Sequence, residues 1–238
     1  MSMLGELNFF LGLQISQYEK GMFISQTKYT NDMLKKFNMH NCKPVGTPMI
    51  TCCKLSKDDD SPTVDQKLYR SMIGSLLYVT TTRPDVMHAV CQVARFQVAP
   101  KKTHLLSVKN FFEYLKGTSK FGLWYHKGNN LNLFSFTYAN WVGCIDDRKS
   151  TSGATFFLGG CLFSWSSKKQ SSISLSIVEA KYIVATNCCT QVIWMKKTLT
   201  DILVTYSYPI TIYCDNTSAI SISKNPIMHS KTKHIPIK

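Results

Sequence analysis

The sequence predicts a protein of mixed class, α+β or α/β, in which a β-hairpin and a bundle of helices precede an α/β domain. Three observations lead to this prediction. Apolar residues recur at helical spacing in three stretches between residues 66 and 115. Short aromatic and aliphatic runs separated by Gly, Asn and Ser follow residue 122. A further long helical stripe and a short apolar run come after them.

The first 41 residues predict a hairpin followed by one helix. Residues 9–15 and 22–25 are rich in aliphatic and aromatic side chains, and Glu19, Lys20 and Gly21 form a turn signal between them. From residue 26 to residue 37, apolar side chains lie at the spacing of an amphipathic helix.

Residues 42–65 predict an exposed connector, because prolines and like charges disfavour regular structure. The Asp triplet at 58–60 has two interpretations, a metal site or a solvated acidic run, and the second is favoured. Residues 66–122 then predict three helices at 66–79, from Pro84 to about residue 98, and at 105–115, whose apolar stripes form a core.

The segment 123–238 predicts the α/β domain. Its tryptophans Trp141, Trp165 and Trp194 lie within apolar patterns and are predicted to be core residues. The predicted elements are strands at 123–126, 131–136, 155–158 and 162–165, a helix at 179–199 and a buried strand at 210–214.

The balance of 28 basic against 14 acidic residues gives a net charge of +14. Such a charge favours a polyanionic partner, a nucleic acid or an anionic membrane surface, although a basic surface without a ligand has the same composition. The nine cysteines include no Cys-x-x-Cys spacing, which favours reduced thiols over a zinc site. With no signal peptide and no apolar run of about 18 residues, we expect an intracellular protein, cytoplasmic or nuclear, with no membrane partner.

Several short motifs carry a family resemblance. Three in the second half are TYANWVG at 137–143, LSIVEAKY at 175–182 and IYCDNTSA at 212–219. The others are GELNFFLGLQI at 5–15, YRSMIGSLLY at 69–78, TRPD at 82–85, YLKGT at 114–118, DDRKSTSG at 146–153 and SSKKQ at 166–170. In order and spacing they resemble the C-terminal part of the Pol polyprotein of copia-type LTR retrotransposons, over nearly the whole chain.

This resemblance implies three parts. Residues 1–41 would be the end of a reverse transcriptase, 66–122 its thumb and connection helices, and 123–238 a ribonuclease H-like domain with a mixed sheet, truncated at its C-terminus. The aspartate pair of the polymerase is expected upstream of Met1, in a palm domain that is an implied partner. Polymerisation by this chain alone is therefore not expected.

The resemblance also implies a metal-dependent chemistry. Ribonuclease H cleaves the RNA strand of an RNA–DNA hybrid by attack of water on phosphate, with two Mg²⁺ ions about 3.5–4 Å apart. Each Mg²⁺ needs several oxygen ligands, which carboxylates supply. The activity therefore depends on a cluster of acidic side chains that converge on one point.

Most of that cluster is replaced in this sequence. Tyr138, Lys181 and Pro236 stand where the resemblance implies Asp, Glu and Asp, and Asn140 stands at another position that is usually acidic. Asp215 matches the remaining carboxylate and is the one implied metal ligand. Glu179 matches the family's other Glu in the helix, but residues i and i+2 lie on different faces, so it is a weak catalytic candidate. We expect that Mg²⁺, implied by resemblance, is not bound productively.

Basic and polar residues near the motifs are candidates for nucleic-acid contact. Arg148, Lys149, Lys168 and Lys169 could hold phosphates, or they could be lysines and arginines on a solvated turn. The remaining candidates are Asn216 and Ser218 in the third motif. Asp146 and Asp147 could replace the lost ligands, but a loop role is favoured for them.

Three functional hypotheses follow. The first is a catalytically degenerate fragment of a reverse transcriptase and ribonuclease H with residual affinity for RNA–DNA hybrid. The second is a slow nuclease in which Asp215, Glu179 and an unrecognised carboxylate bind one metal ion. The third is an interaction module with no role in nucleic-acid binding.

Overall fold

The computed structural model divides the chain into two compact units, Met1–Lys127 and Gly128–Lys238. The residues that it describes are 7–49, 55–128, 131–204 and 209–225. Each unit combines helices with a four-stranded sheet, which confirms the predicted mixed α and β class.

The sheet of the first unit is antiparallel, and its strand order is β1-β2-β3-β4. The predicted hairpin is confirmed, since Tyr18 pairs with Gly21 across a two-residue turn. The strands are β1 (Phe9–Phe10), β2 (Leu13–Tyr18), β3 (Gly21–Ser25) and β4 (Gly122–His126).

Strand β4 differs from the sequence prediction, which placed residues 123–126 at the start of the second domain. It forms a strand, but it pairs with β3 in register Ile24↔Leu123 and Ser25↔Gly122. The alternation of side chains predicts that a strand exists and does not reveal which distant strand it pairs with. A Cβ atom at Gly122 would meet the carbonyl oxygen of Ile24, so glycine permits this close approach.

The helices of the first unit pack their apolar faces into one core. Tyr69, Phe111 and Phe112 are fully buried in it, and the hydroxyl of Tyr69 donates to the carbonyl oxygen of Val93 at 2.8 Å. The predicted helices are confirmed, although the helix predicted from Pro84 to about residue 98 ends at Val93. Their bounds are α1 (Thr27–Lys36), α2 (Gln66–Val79), α3 (Pro84–Val93), a 3₁₀ turn (Ala94–Phe96) and α4 (Lys102–Gly117).

The connector contains no helix or strand in its described residues 42–49 and 55–65, apart from one bridge between Thr63 and Lys101. Within its acidic run, Asp59 accepts hydrogen bonds from the backbone N of Ser61 at 2.7 Å and from the hydroxyl of Thr103. Because Thr103 lies in the first turn of α4, this carboxylate fastens the connector to the helix.

The second unit holds a mixed sheet with strand order β7-β6-β5-β8, in which β5 and β8 are parallel and the other pairs antiparallel. A long helix connects β7 to β8 and packs on one face of the sheet. The elements are β5 (Leu133–Asn140), β6 (Thr151–Leu158), β7 (Cys161–Lys169), α5 (Ile177–Asp201), β8 (Thr211–Tyr213) and α6 (Thr217–Lys224).

One face of this sheet is covered by α5, and the other is partly exposed. Leu133 and Phe156 pack against the buried stripe of α5, which includes Cys188 and Val192. On the opposite face, strand alternation gathers a cluster of aromatic rings, which we call the aromatic face and which consists of Phe134, Phe136, Phe157 and Tyr213.

The prediction for the tryptophans was wrong at two positions. Trp194 is 61% exposed, because it lies about 200° around α5 from the buried Val192 and therefore points away from the sheet. Trp141 is also exposed, and its indole N donates to the carbonyl oxygen of Ser174 at 3.2 Å. Among the described residues, no helix is long and apolar enough to span a membrane.

Candidate functional site

The structure brings together three of the positions singled out from the sequence. The ammonium group of Lys181, on α5, donates a hydrogen bond to the Oδ1 atom of Asp215, which follows β8. The same ammonium lies 5.8 Å from the centroid of the Tyr138 ring, on β5. We call Tyr138, Lys181 and Asp215 the substituted cluster.

Sheet register explains why these three residues meet. Strands β5 and β8 are parallel and pair Phe136 with Tyr213, so Tyr138 and Asp215 lie two residues further on at the same end of the sheet. Helix α5 begins above that end, because Ala180 and Val184 pack against Ala139. Lys181 therefore projects from the second turn of α5 toward the gap between the strands.

The charges in the substituted cluster are balanced internally. The side chain of Lys181 is only 11% exposed, whereas that of Asp215 is 59% exposed. The Tyr138 ring presents its face to the Lys181 ammonium, an attractive arrangement. One ammonium, one carboxylate and one phenol thus have no net charge, whereas the three acidic groups that the resemblance implies would carry three negative charges.

Glu179 has a structural role at the start of α5. The hydroxyl of Ser176 accepts a hydrogen bond from the backbone N of Glu179 at 3.2 Å, and the Glu179 carboxylate accepts one from the backbone N of Leu175. The first contact satisfies a backbone donor in the first turn of the helix, and the second ties Glu179 to the residue before the N-cap. Glu179 is buried, and it is directed at the backbone before the helix.

The donor set does not fit the pair of Mg²⁺ ions that ribonuclease H chemistry requires. Within the described ranges, no group of three His, Cys, Asp or Glu side chains could hold a metal ion. Asp215, the metal ligand that the resemblance implies, forms an ion pair with Lys181. Pro236, at the fourth position where the resemblance implies a carboxylate, lies outside the described residues.

Asp147 fastens the loop between β5 and β6 to the end of β7. Its Oδ2 atom lies 2.6 Å from the ammonium of Lys169, and its Oδ1 accepts from the backbone N of Lys149 at 3.3 Å. Burial opposes ionisation, but hydrogen bonds from Lys169, Cys144 and Lys149 and the Lys169 charge outweigh it and lower the pKa of Asp147 to about 2. These contacts support the predicted loop role of Asp147.

The candidate phosphate contacts fall into two groups. Arg148 and Lys168 are exposed and Lys149 is half-buried, whereas Lys169 is engaged with Asp147. Sheet register pairs Lys168, near the end of β7, with Ser152, near the start of β6. Lys168 therefore lies beside the loop between β5 and β6, which contains Arg148 and Lys149.

The two polar candidates of the third motif lie at the start of α6. Asn216 is the N-cap of this helix, and its side chain accepts a hydrogen bond from the backbone N of Ala219 at 2.8 Å. Ser218 is exposed in the first turn of the same helix. Asn216 is therefore occupied by a structural contact, and Ser218 is open to solvent.

Sequence reasoning missed Gln170 as the residue that fixes α5 to the sheet. Its side-chain N donates to the carbonyl oxygen of Ala180 at 2.9 Å, and its side-chain O accepts from the hydroxyl of Ser174 at 2.8 Å. Gln170 is buried, and Ala180 directly precedes Lys181. The SSKKQ motif contained this signal, but its lysines drew the interpretation toward phosphate contacts.

Comparison with known proteins gives one family match in the first unit. Residues 1–51 match the family described as Reverse transcriptase (RNA-dependent DNA polymerase). No solved structure matches the chain.

Similar proteins include transposon polyproteins and one short protein. The chain is 38% identical to the Retrovirus-related Pol polyprotein from transposon RE2 of Arabidopsis thaliana, over 98% of the chain and 16% of the polyprotein. It is 40% identical to the corresponding polyprotein from transposon TNT 1-94 of Nicotiana tabacum, over 100% of the chain and 18% of the polyprotein. It is 36% identical to an uncharacterized mitochondrial protein of Arabidopsis thaliana, over 82% of the chain and 80% of that protein. The chain thus spans about a sixth of the polyproteins.

Proposed function

Because the chain belongs to the family of retrovirus-related Pol polyproteins of copia-type transposons, we propose that its second unit is a ribonuclease H-like module that has lost hydrolysis. In this proposal the module retains sequence-independent affinity for RNA–DNA hybrid, and the first unit is the end of a reverse transcriptase with its thumb and connection helices. The chain would act inside the cell, in the cytoplasm or nucleus, and its partner in a complete polyprotein would be an upstream palm domain.

The observation that carries the proposal is the ion pair between Lys181 and Asp215 beside the Tyr138 ring. Strand, helix and strand still converge at this end of the mixed sheet, which supports the ribonuclease H-like assignment. At the point where these elements meet, Lys181 and Asp215 form a salt bridge. An ammonium group repels divalent cations, and a phenol is a poor ligand for Mg²⁺, so the hydrolytic step lacks its metal ions.

Binding to nucleic acid is supported by charge and by exposure. The chain carries a net charge of +14, and Arg148, Lys149 and Lys168 lie at one end of the sheet where a phosphate backbone can reach them. Ser218 offers a hydroxyl on α6. Such contacts read the backbone and not the bases, so we expect little sequence preference.

The first prediction concerns cleavage and binding of a labelled RNA–DNA hybrid by the full chain. We expect no cleavage in Mg²⁺ or Mn²⁺, but binding whose affinity falls steeply with salt. In a triple variant, Arg148, Lys149 and Lys168 are each replaced by Gln. The slope of the logarithm of the binding constant against the logarithm of the salt concentration should then become shallower by about 0.7–0.9 for each phosphate that the variant no longer neutralises. A matched variant replaces the exposed lysines Lys35, Lys196 and Lys197, and it should retain more of the slope.

Restoration of the acidic side chains tests the assignment of the lost ligands. We expect Tyr138→Asp, Lys181→Glu and Pro236→Asp together to create metal-dependent cleavage that Asp215→Asn then abolishes. Cleavage by the parent chain that disappears in Asp215→Asn would instead support the slow-nuclease hypothesis. Absence of salt-dependent hybrid binding would support an interaction module with no nucleic-acid role.

A further inference from the structure

We infer that Lys181 is a built-in counter-cation, which lets a nucleic-acid phosphate approach the substituted cluster without a divalent metal ion. The inference rests on the proposed hybrid binding, and it goes further because it states how that binding responds to metal. It starts from the disagreement between the metal-dependent family chemistry and the side chains present.

The first step is electrostatic. Three carboxylates at one point repel a phosphate, and a bound cation must neutralise them before the phosphate can come close. In the substituted cluster the ammonium of Lys181 is hydrogen-bonded to Asp215 and lies 5.8 Å from the Tyr138 ring centroid. The ammonium of Lys181 is part of the chain, so its presence at the cluster does not depend on the concentration of metal ions in solution.

The second step concerns the direction in which the cluster is open. The Lys181 side chain is largely buried, while Tyr138 is 56% exposed and the Asp215 side chain is similarly exposed. An incoming phosphate therefore meets a neutral ring and a carboxylate whose charge is already compensated. Lys181 is a positioning residue for charge in this account, and it is not a catalytic residue.

Three hydrogen bonds hold the backbone from which Lys181 projects. Gln170 fixes the backbone at Ala180, one residue before Lys181. The capping contacts of Ser176 and Glu179 fix the first turn of the same helix. Because the start of α5 is anchored to the end of β7, the Lys181 side chain reaches Asp215 from a defined origin.

The experiment measures the dissociation constant of the full chain for a fluorescent RNA–DNA hybrid in EDTA and in Mg²⁺, at equal ionic strength. For the unmodified chain we expect the two constants to agree within about twofold. Lys181→Glu changes the cluster by two charges close to a phosphate, so we expect about fivefold to tenfold weaker binding in EDTA. Adding Tyr138→Asp to Lys181→Glu should give binding that Mg²⁺ strengthens at least severalfold.

Two further variants guard against trivial outcomes. Lys196→Glu makes the same charge reversal on an exposed position of α5, and it should weaken binding less than Lys181→Glu does. Lys181→Met keeps a long side chain and removes the charge, so its effect should be intermediate. Circular dichroism confirms that each variant is folded.

The outcomes separate the inference from the proposed function. Hybrid binding by the unmodified chain that requires Mg²⁺ would overturn the counter-cation role and leave the binding function standing. Equal losses from Lys181→Glu and Lys196→Glu would also overturn it. If the unmodified chain binds no hybrid in either condition, the proposed function fails, and the counter-cation role fails with it.

Discussion

Single residues in the second unit take roles that depend on what each side chain faces. Lys168 and Lys169 are neighbours on β7, and the sequence made both candidates for phosphate contact. Strand alternation turns them in opposite directions, so that Lys169 meets Asp147 and Lys168 remains exposed. The sequence could identify the two lysines but not which of them forms an ion pair, because Asp147 lies 22 residues away in a loop.

A prediction at this scale concerns pH. The folded state lowers the pKa of Asp147 to about 2 from an ordinary value near 3.8, so its contribution to stability is present above about pH 4 and is lost as the pH falls toward 2. In urea unfolding between pH 2 and pH 5, Asp147→Asn should lower the free energy of unfolding by roughly 0.5 kcal/mol at pH 5, since the pair is partly exposed and screened.

A double-mutant cycle provides the control. Lys169→Met should produce a similar loss at pH 5, and the loss in the double variant should be smaller than the sum of the two. The interpretation fails if the profile of Asp147→Asn stays parallel to that of the unmodified chain down to pH 2.

Helix α5 shows at the scale of elements what sequence patterns can and cannot predict. Its apolar repeat predicted a helix from 179 to 199, and the structure confirms one from Ile177 to Asp201. The repeat did not distinguish the buried Val192 and Met195 from the exposed Ile193 and Trp194, because apolar residues occur on both faces. The pattern of β4 likewise predicted a strand without revealing its pairing with β3, because alternation along one strand does not specify its partner.

The capping of α5 supports a second prediction. Ser176→Ala removes the hydroxyl that accepts from the backbone N of Glu179, so the free energy of unfolding should fall by about 1 kcal/mol. Thr198→Ala provides a matched control, because its hydroxyl bonds to the Trp194 carbonyl on the exposed side of the same helix. We expect Thr198→Ala to change the unfolding free energy by less than about 0.5 kcal/mol in the same urea experiment. Equal effects of the two substitutions would contradict the capping role.

At the scale of the whole molecule, the sequence predicted the order of hairpin, helices, strands and final α/β elements. Tertiary pairing, such as the meeting of Tyr138, Lys181 and Asp215, followed only from sheet register. The resemblance named Tyr138 and Lys181 individually as lost ligands and Asp215 as the matching carboxylate. It did not reveal that the replacement lysine forms an ion pair with the retained aspartate, because that contact joins residues 34 positions apart.

The cysteines give a prediction for the complete chain. None of the cysteines that the structure describes forms a disulfide, and these are Cys42, Cys91, Cys144, Cys161, Cys188, Cys189 and Cys214. The temperature of half-unfolding should therefore not decrease when a reducing agent is added, whereas loss of a disulfide worth about 2–4 kcal/mol would lower it by several degrees. Titration of the denatured chain with a thiol reagent should detect all nine cysteines, and a lower count would contradict the prediction.

The aromatic face of the second unit also affects how these measurements are made. Phe136 and Tyr213 stack on each other with ring centroids 4.8 Å apart, yet both are about half exposed. The folded sheet therefore presents a hydrophobic surface to water. Dyes that fluoresce in apolar surroundings will bind the folded protein and obscure its melting curve. Far-ultraviolet ellipticity, which reports on the backbone, is therefore the better signal for following unfolding. We expect a mild non-ionic detergent to reduce aggregation of concentrated samples.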